Sequence, residues 1–236
     1  MFVEYAIEHT IPKEIIDKFH IITEKLIEKD IKYKLVITGN IGSGKSLRCE
    51  LLYQLFNNYT KDIQCFPEYL NYSKHGKTML KLRSKNLISP LTFQNYILDE
   101  WENALRNQEY KSINIFERCP DDSVYCFSSH LPKTEYDYLT NRVKQLNIKY
   151  NCPTYDSKNN FIKIVSDDVM NNLNTISEII LNDIENNIDT RIIGLEISTK
   201  ISYDRIMKRN RNSERNMEIT TLNEFNKFYD KLYAKL

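Results

Sequence analysis

Gly39-Asn40-Ile41-Gly42-Ser43-Gly44-Lys45-Ser46 satisfies the pattern G-x-x-x-x-G-K-[ST]. The chain has five glycines, and three of them fall inside this stretch. Glycine tolerates positive φ and lets a backbone approach a ligand closely, so the concentration points to a built loop. Upstream, Tyr33-Lys34-Leu35-Val36-Ile37-Thr38 reads as a buried strand; downstream, Leu47, Leu51, Leu52 and Leu55 return to helical spacing. Strand, glycine loop and helix are the context that a phosphate-binding loop requires. Asn40, Gly42, Ser43 and Gly44 would then frame the phosphates of ATP, because backbone N–H groups and a helix N-terminus converge there. Lys45 would bring a point charge to the β- and γ-phosphates, and Ser46 a hydroxyl ligand for Mg²⁺. A chance glycine turn before a helix is the bland alternative, and the flanking strand and helix both argue against it. The loop leaves the acceptor open, since GTPases, ATPases and kinases share it.

Outward from the loop, strands read at Ile63–Phe66, Ile113–Phe116, Phe161–Val165 and Thr190–Ile197, alternating with helices at 13–29, 90–105, 134–146 and 168–184. Two helical stretches follow Ser202, broken by an Arg- and Asn-rich segment. This alternation predicts an α/β fold with a central, mostly parallel five-stranded sheet and helices on both faces. A length of 236 residues suits one domain over 1–236, with an additional N-terminal helix within 1–30.

Composition narrows the function classes. A net charge of +1 gives no overall basic field for nucleic acid. No apolar run approaches a membrane span, and the first residues lack the regions of a signal peptide. Five scattered cysteines form no CxxC pair or zinc spacing, which fits reduced thiols in a cytoplasm.

Four further segments bear on the acceptor. Glu68 and Glu117-Arg118 each follow the end of a strand, where a parallel sheet opens its ligand crevice. A carboxylate there could take a proton from an attacking hydroxyl. Phe93-Gln94 opens a helix with an amide beside an aromatic, suited to a planar base. Arg205 to Arg215 carries a run of arginines. Singly, each has an ordinary reading: a surface Glu, a surface ion pair, a half-buried helix start, a solvated basic helix.

In this order, the segments resemble the deoxyribonucleoside kinase family, over residues 33–130 and 190–235. The resemblance implies a P-loop kinase with an arginine-rich lid at 205–219, acting as a homodimer. It implies phosphorylation of a deoxynucleoside 5′-hydroxyl from ATP and Mg²⁺ in nucleotide salvage. Glu68 matches the general base, and Arg118 the residue that orients Glu68 and the 5′-oxygen. Glu117 would help Ser46 hold Mg²⁺. Gln94 matches the amide that pairs with the base edge; Phe93 lines that pocket and Phe127 stacks on the base. Arg209, Arg211 and Arg215 match lid arginines that embrace the transferred phosphate, and Glu214 the lid carboxylate on the sugar 3′-hydroxyl.

Departures from the family pattern are specific. Glu68-Tyr69-Leu70-Asn71-Tyr72 stands where the family has Glu-Pro-Val-x-x-Trp. Arg83 stands about where a tyrosine shares the 3′-hydroxyl. Trp101 and Ser123 fall at positions that tune base choice, and the indole of Trp101 either narrows the pocket or belongs to the core. A pyrimidine is slightly favoured. The Phe161–Val165 strand and its helix precede the Thr190–Ile197 strand, an unexpected unit that is expected at the vacant edge of the sheet. The alternatives are a thymidylate-type monophosphate kinase, which needs another arginine for the acceptor phosphate, and a non-catalytic nucleotide-binding regulator.

Overall fold

The computed structural model describes residues 11–68, 73–106, 108–155, 160–209 and 217–234. In chain order the elements are α1 (Lys13–Glu28), β1 (Tyr33–Gly39), α2 (Lys45–Asn57), β2 (Ile63–Phe66), α3 (Lys74–Ser84), α4 (Pro90–Leu105) and β3 (Ile113–Glu117). There follow α5 (Asp122–Tyr125), α6 (Lys133–Tyr150), β4 (Phe161–Val165), α7 (Val169–Glu185), β5 (Thr190–Glu196), α8 (Thr199–Arg209) and α9 (Ile219–Tyr233). The five strands form one sheet in the order β2-β3-β1-β5-β4, with every pairing parallel. The Phe161–Val165 strand therefore takes the edge beside β5, as the sequence led us to expect.

Side-chain alternation along the strands divides the interior into two layers. Tyr33, Leu35 and Ile37 of β1 face the helices α1, α2 and α7; Val36 faces α4, α6 and α9. On α1 the stripe of Ile15, Phe19, Ile22 and Leu26 is buried. Each such side chain stabilises by about 1.5–3 kcal/mol on full burial. Phe19 meets Phe56 of α2 edge-on, with ring centroids 4.9 Å apart. On the other layer Phe66 stacks on Phe116 at 4.5 Å, and Trp101 of α4 packs against both rings.

Local chemistry starts the helices. Ser89 accepts from the Thr92 N–H at 3.0 Å ahead of Pro90, and Asp168 accepts from the N–H groups of Met170 and Asn171. The sequence reading lacked α3 and α5. Gly76 is the one buried residue of α3, so the helix shows no apolar stripe to read. Among the described residues no helix is long and apolar enough to cross a membrane.

Candidate active site

Strand register brings the site together. β1 pairs with β3 so that Ile37 lies opposite Glu117, and the Arg118 N–H continues to the Ile37 carbonyl at 3.0 Å. Glu117 and Arg118 thereby lie beside the last residues of β1, just before it opens into the glycine loop. On the other side β2 pairs with β3 as far as Phe66 opposite Phe116, and Glu68 follows two residues later. All these groups meet at the C-terminal edge of the sheet, where α/β folds place their ligands.

The loop has the backbone of a phosphate cradle. Gly42 and Gly44 have φ of 80° and 89°, in the left-handed region. A Cβ on Gly42 would stand 2.7 Å from the Ser202 carbonyl oxygen, and one on Gly44 would stand 2.4 Å from Arg48 Nη1. Gly44 is the N-cap residue of α2, so the helix N-terminus points at the loop. Lys45 is buried, and its Nζ donates to the Asn40 carbonyl at 2.8 Å. Burial, with the Arg118 charge, lowers its pKa to about 8 against the pull of Glu68, Glu117 and Asp122. Ser46 Oγ donates to Glu117 Oε1 at 2.6 Å. The Glu68 N–H donates to Glu117 Oε2 at 3.4 Å.

Arg118 is the hub. Its φ is 72°, an uncommon conformation for a residue with a Cβ. Its Nε donates to Glu68 Oε1 at 3.3 Å and its Nη1 to the Gly39 carbonyl at 3.0 Å. The guanidinium lies 4.9 Å from the Phe127 ring centroid. Burial pulls its pKa down, and Tyr229, Glu68 and Asp122 together outweigh that, leaving it well above the ordinary value.

One cavity of about 730 Å³ joins these groups. Gly42, Gly44, Lys45, Ser46, Glu68, Phe93, Gln94, Trp101, Glu117, Arg118, Phe127 and Arg209 all line it. Trp101 belongs to both of its readings, since it is 4% exposed within the aromatic layer and still forms cavity wall. The side chain of Asn40 instead donates to the Leu222 carbonyl at 3.1 Å and to Asn226 Oδ1 at 2.5 Å, tying the loop to α9. Ser43 is buried at 1% exposure. Arg211, Glu214 and Arg215 lie outside the described residues.

Other residues line the cavity as well. Arg205, at the start of the expected lid, stands one helical turn before Arg209 on α8. Its Nη2 pairs with Asp167 Oδ2 at 3.2 Å, while its Nη1 is buried at the cavity with no partner among the described residues. An orphaned buried guanidinium nitrogen beside a glycine cradle and a buried lysine fits a polyanionic ligand. Asp122 and Phe225 also line the cavity.

A phosphate cradle at the head of a parallel sheet, facing a carboxylate–arginine pair across a shared cavity, defines a P-loop phosphotransferase. The family model "Deoxynucleoside kinase" matches residues 35–157, and the chain belongs to that family; it is a kinase that uses a nucleoside triphosphate. Solved structures of similar fold include deoxyadenosine kinase from M. mycoides with bound dATP. That comparison gives a TM-score of 0.52 at 18% identity, covering 86% of this chain and 84% of the other. The same enzyme with bound dCTP gives a TM-score of 0.53 at 18% identity, covering 86% and 83%. No curated protein matches significantly.

Proposed function

We propose that the chain transfers the γ-phosphate of ATP to the 5′-hydroxyl of a deoxynucleoside, a salvage reaction in a single kinase domain over 1–236. One observation carries this reading: Glu68 and Arg118 are paired on the wall of the same cavity that the phosphate loop lines. Phosphoryl transfer asks the protein mainly to align a hydroxyl and neutralise phosphate charge. Glu68 accepts the 5′-hydroxyl proton, and Arg118 orients Glu68 and the incoming oxygen. The amides of residues 40–46 and Lys45 hold the triphosphate. Arg209, with Arg211 and Arg215, neutralises the transferred group.

Ser46 and Glu117 are the residues that would hold Mg²⁺, which supplies charge neutralisation on the phosphate oxygens when bound. Their 2.6 Å contact supports that reading. Gln94 pairs with the base edge, Phe93 and Phe127 flank the ring, and Glu214 takes the 3′-hydroxyl. Trp101 in the cavity wall favours a single-ring base, so a pyrimidine is the preferred substrate. Five free cysteines suit a reducing cytoplasm, and a homodimer follows the family.

Arg83 also lines the cavity, and this favours one second reading: a monophosphate kinase in which Arg83 grips the acceptor phosphate. Offering Mg-ATP with the four deoxynucleosides, the four monophosphates and a 5′-hydroxyl oligonucleotide separates the two. Transfer to deoxynucleosides, pyrimidines foremost, supports the first reading; transfer only to monophosphates replaces it with the second.

A further inference from the structure

Tyr229 belongs to no motif, yet its phenol sits beneath the reacting groups. It is 3% exposed on α9. Its hydroxyl accepts a hydrogen bond from Arg118 Nη1 and donates one to Asp122 Oδ1 at 3.2 Å. Arg118 Nη1 and Asp122 Oδ1 are themselves 3.6 Å apart, beyond a hydrogen bond. The hydroxyl therefore fills the gap between a buried cation and a buried anion.

Arg118 has two carboxylates within reach, Glu68 across the cleft and Asp122 below. The Asp122 side chain is 3% exposed and that of Glu68 25%. Attraction between charges strengthens where water is excluded, so Asp122 competes on favourable terms. Asp122 is also held in place: its oxygens accept from the Thr38 hydroxyl at 2.8 Å, the Cys119 N–H at 2.9 Å and the Tyr155 hydroxyl at 3.2 Å. A guanidinium that closed on this fixed anion would draw its Nε away from Glu68.

We propose that Tyr229 is a positioning residue, whose hydroxyl stands between Arg118 and Asp122 and so keeps Arg118 Nε on Glu68. The rest of α9 supports the assignment. Leu222, Phe225, Asn226 and Tyr229 follow helical spacing along one face. That face gives the Leu222 carbonyl and Asn226 to Asn40, Phe225 to the Phe127 ring with centroids 5.7 Å apart, and Tyr229 to Arg118. One helix face thus touches the phosphate loop, the aromatic wall and the arginine.

The kinetic side of this proposal rests on the deoxynucleoside kinase reading; the structural side does not. Tyr229→Phe keeps the ring and removes only the oxygen. We expect kcat to fall by about tenfold while the KM for ATP and the Tm stay near wild type, the pattern of a lost transition-state interaction. Adding Asp122→Asn should restore most of that loss, because the neutral amide no longer captures the guanidinium. A tyrosine that only packs would make the double variant slower than the single one. A crystal structure of Tyr229→Phe should show Arg118 on Asp122 and withdrawn from Glu68. Arg118 still on Glu68 in that crystal overturns the proposal, and so does an unchanged kcat. Wild-type protein inactive toward deoxynucleosides would count against the proposed function instead, leaving the crystal to decide the role of Tyr229.

Discussion

Arg118 reaches Glu68 Oε1 from its Nε at 3.3 Å while its Nη1 holds the Gly39 carbonyl at 3.0 Å, so one side chain joins the acceptor wall to the first residue of the phosphate loop. This bridge explains why a residue with a Cβ occupies a φ of 72° at the end of β3. An extended residue there would carry the side chain along the strand's alternation rather than under the loop. The strain is offset by three charged or polar partners in a buried place.

Removing the proton acceptor tests the acceptor side. Glu68→Gln keeps size and a hydrogen bond to Arg118 but cannot take a proton, so kcat should fall by about 10²-fold or more. Initial rates with saturating nucleoside check this. A near wild-type rate would remove Glu68 from the proton-transfer role.

The loop lysine links nucleotide binding to pH. Below about pH 8 Lys45 is charged with or without nucleotide, and affinity should be flat. Above that value the free protein has lost the proton, whereas a bound triphosphate favours the ammonium. Binding must then take up a proton, and affinity should fall by about tenfold per pH unit. Titration calorimetry in two buffers of different ionisation enthalpy measures that uptake near pH 9. Lys45→Met should bind more weakly and lose the uptake; equal heats in both buffers for wild type would contradict the assignment.

Ser46 and Glu117 form the metal side. Ser46→Ala or Glu117→Gln should raise the Mg²⁺ concentration for half-maximal rate by about 10–100-fold, the usual size for groups that hold or orient a metal. A Mg²⁺ titration of activity reads this directly, and an unshifted curve for both variants would place the metal elsewhere.

The edge strand gives a stability prediction. A Cβ on Gly194 of β5 would stand 2.6 Å from Phe161 Cζ of β4 and 2.9 Å from Tyr233 Cζ of α9. These two rings already stack, with centroids 4.6 Å apart. Gly194→Ala should therefore destabilise by about 1–3 kcal/mol as the rings are pushed apart. For a chain of this size each kcal/mol lowers Tm by about 2–4 °C. An unchanged Tm would show that β4 and α9 do not close over that glycine.

What the sequence disclosed follows from distance along the chain. The phosphate loop was legible because its residues are contiguous and the flanking strand and helix announce themselves by period. Glu68 and Glu117-Arg118 were legible because a parallel sheet puts the ends of neighbouring strands together, whatever lies between them. The edge position of Phe161–Val165 followed from the one vacancy the strand count left. Tyr229 and Asp122 were not legible, since they are 107 residues apart and meet only after the sheet is assembled. α3 was missed because its apolar residues Met79, Leu80 and Leu82 are bunched and only half-buried, so they leave no repeating stripe to read.

A co-crystal with ADP, Mg²⁺ and a deoxynucleoside tests the central claim most directly. We expect phosphates on the amides of residues 40–46, the 5′-oxygen within hydrogen-bond reach of Glu68 and Arg118, and the base between Phe127 and Gln94. A nucleoside bound outside this cavity, or with its 5′-oxygen turned away from Glu68 and the loop, would contradict it.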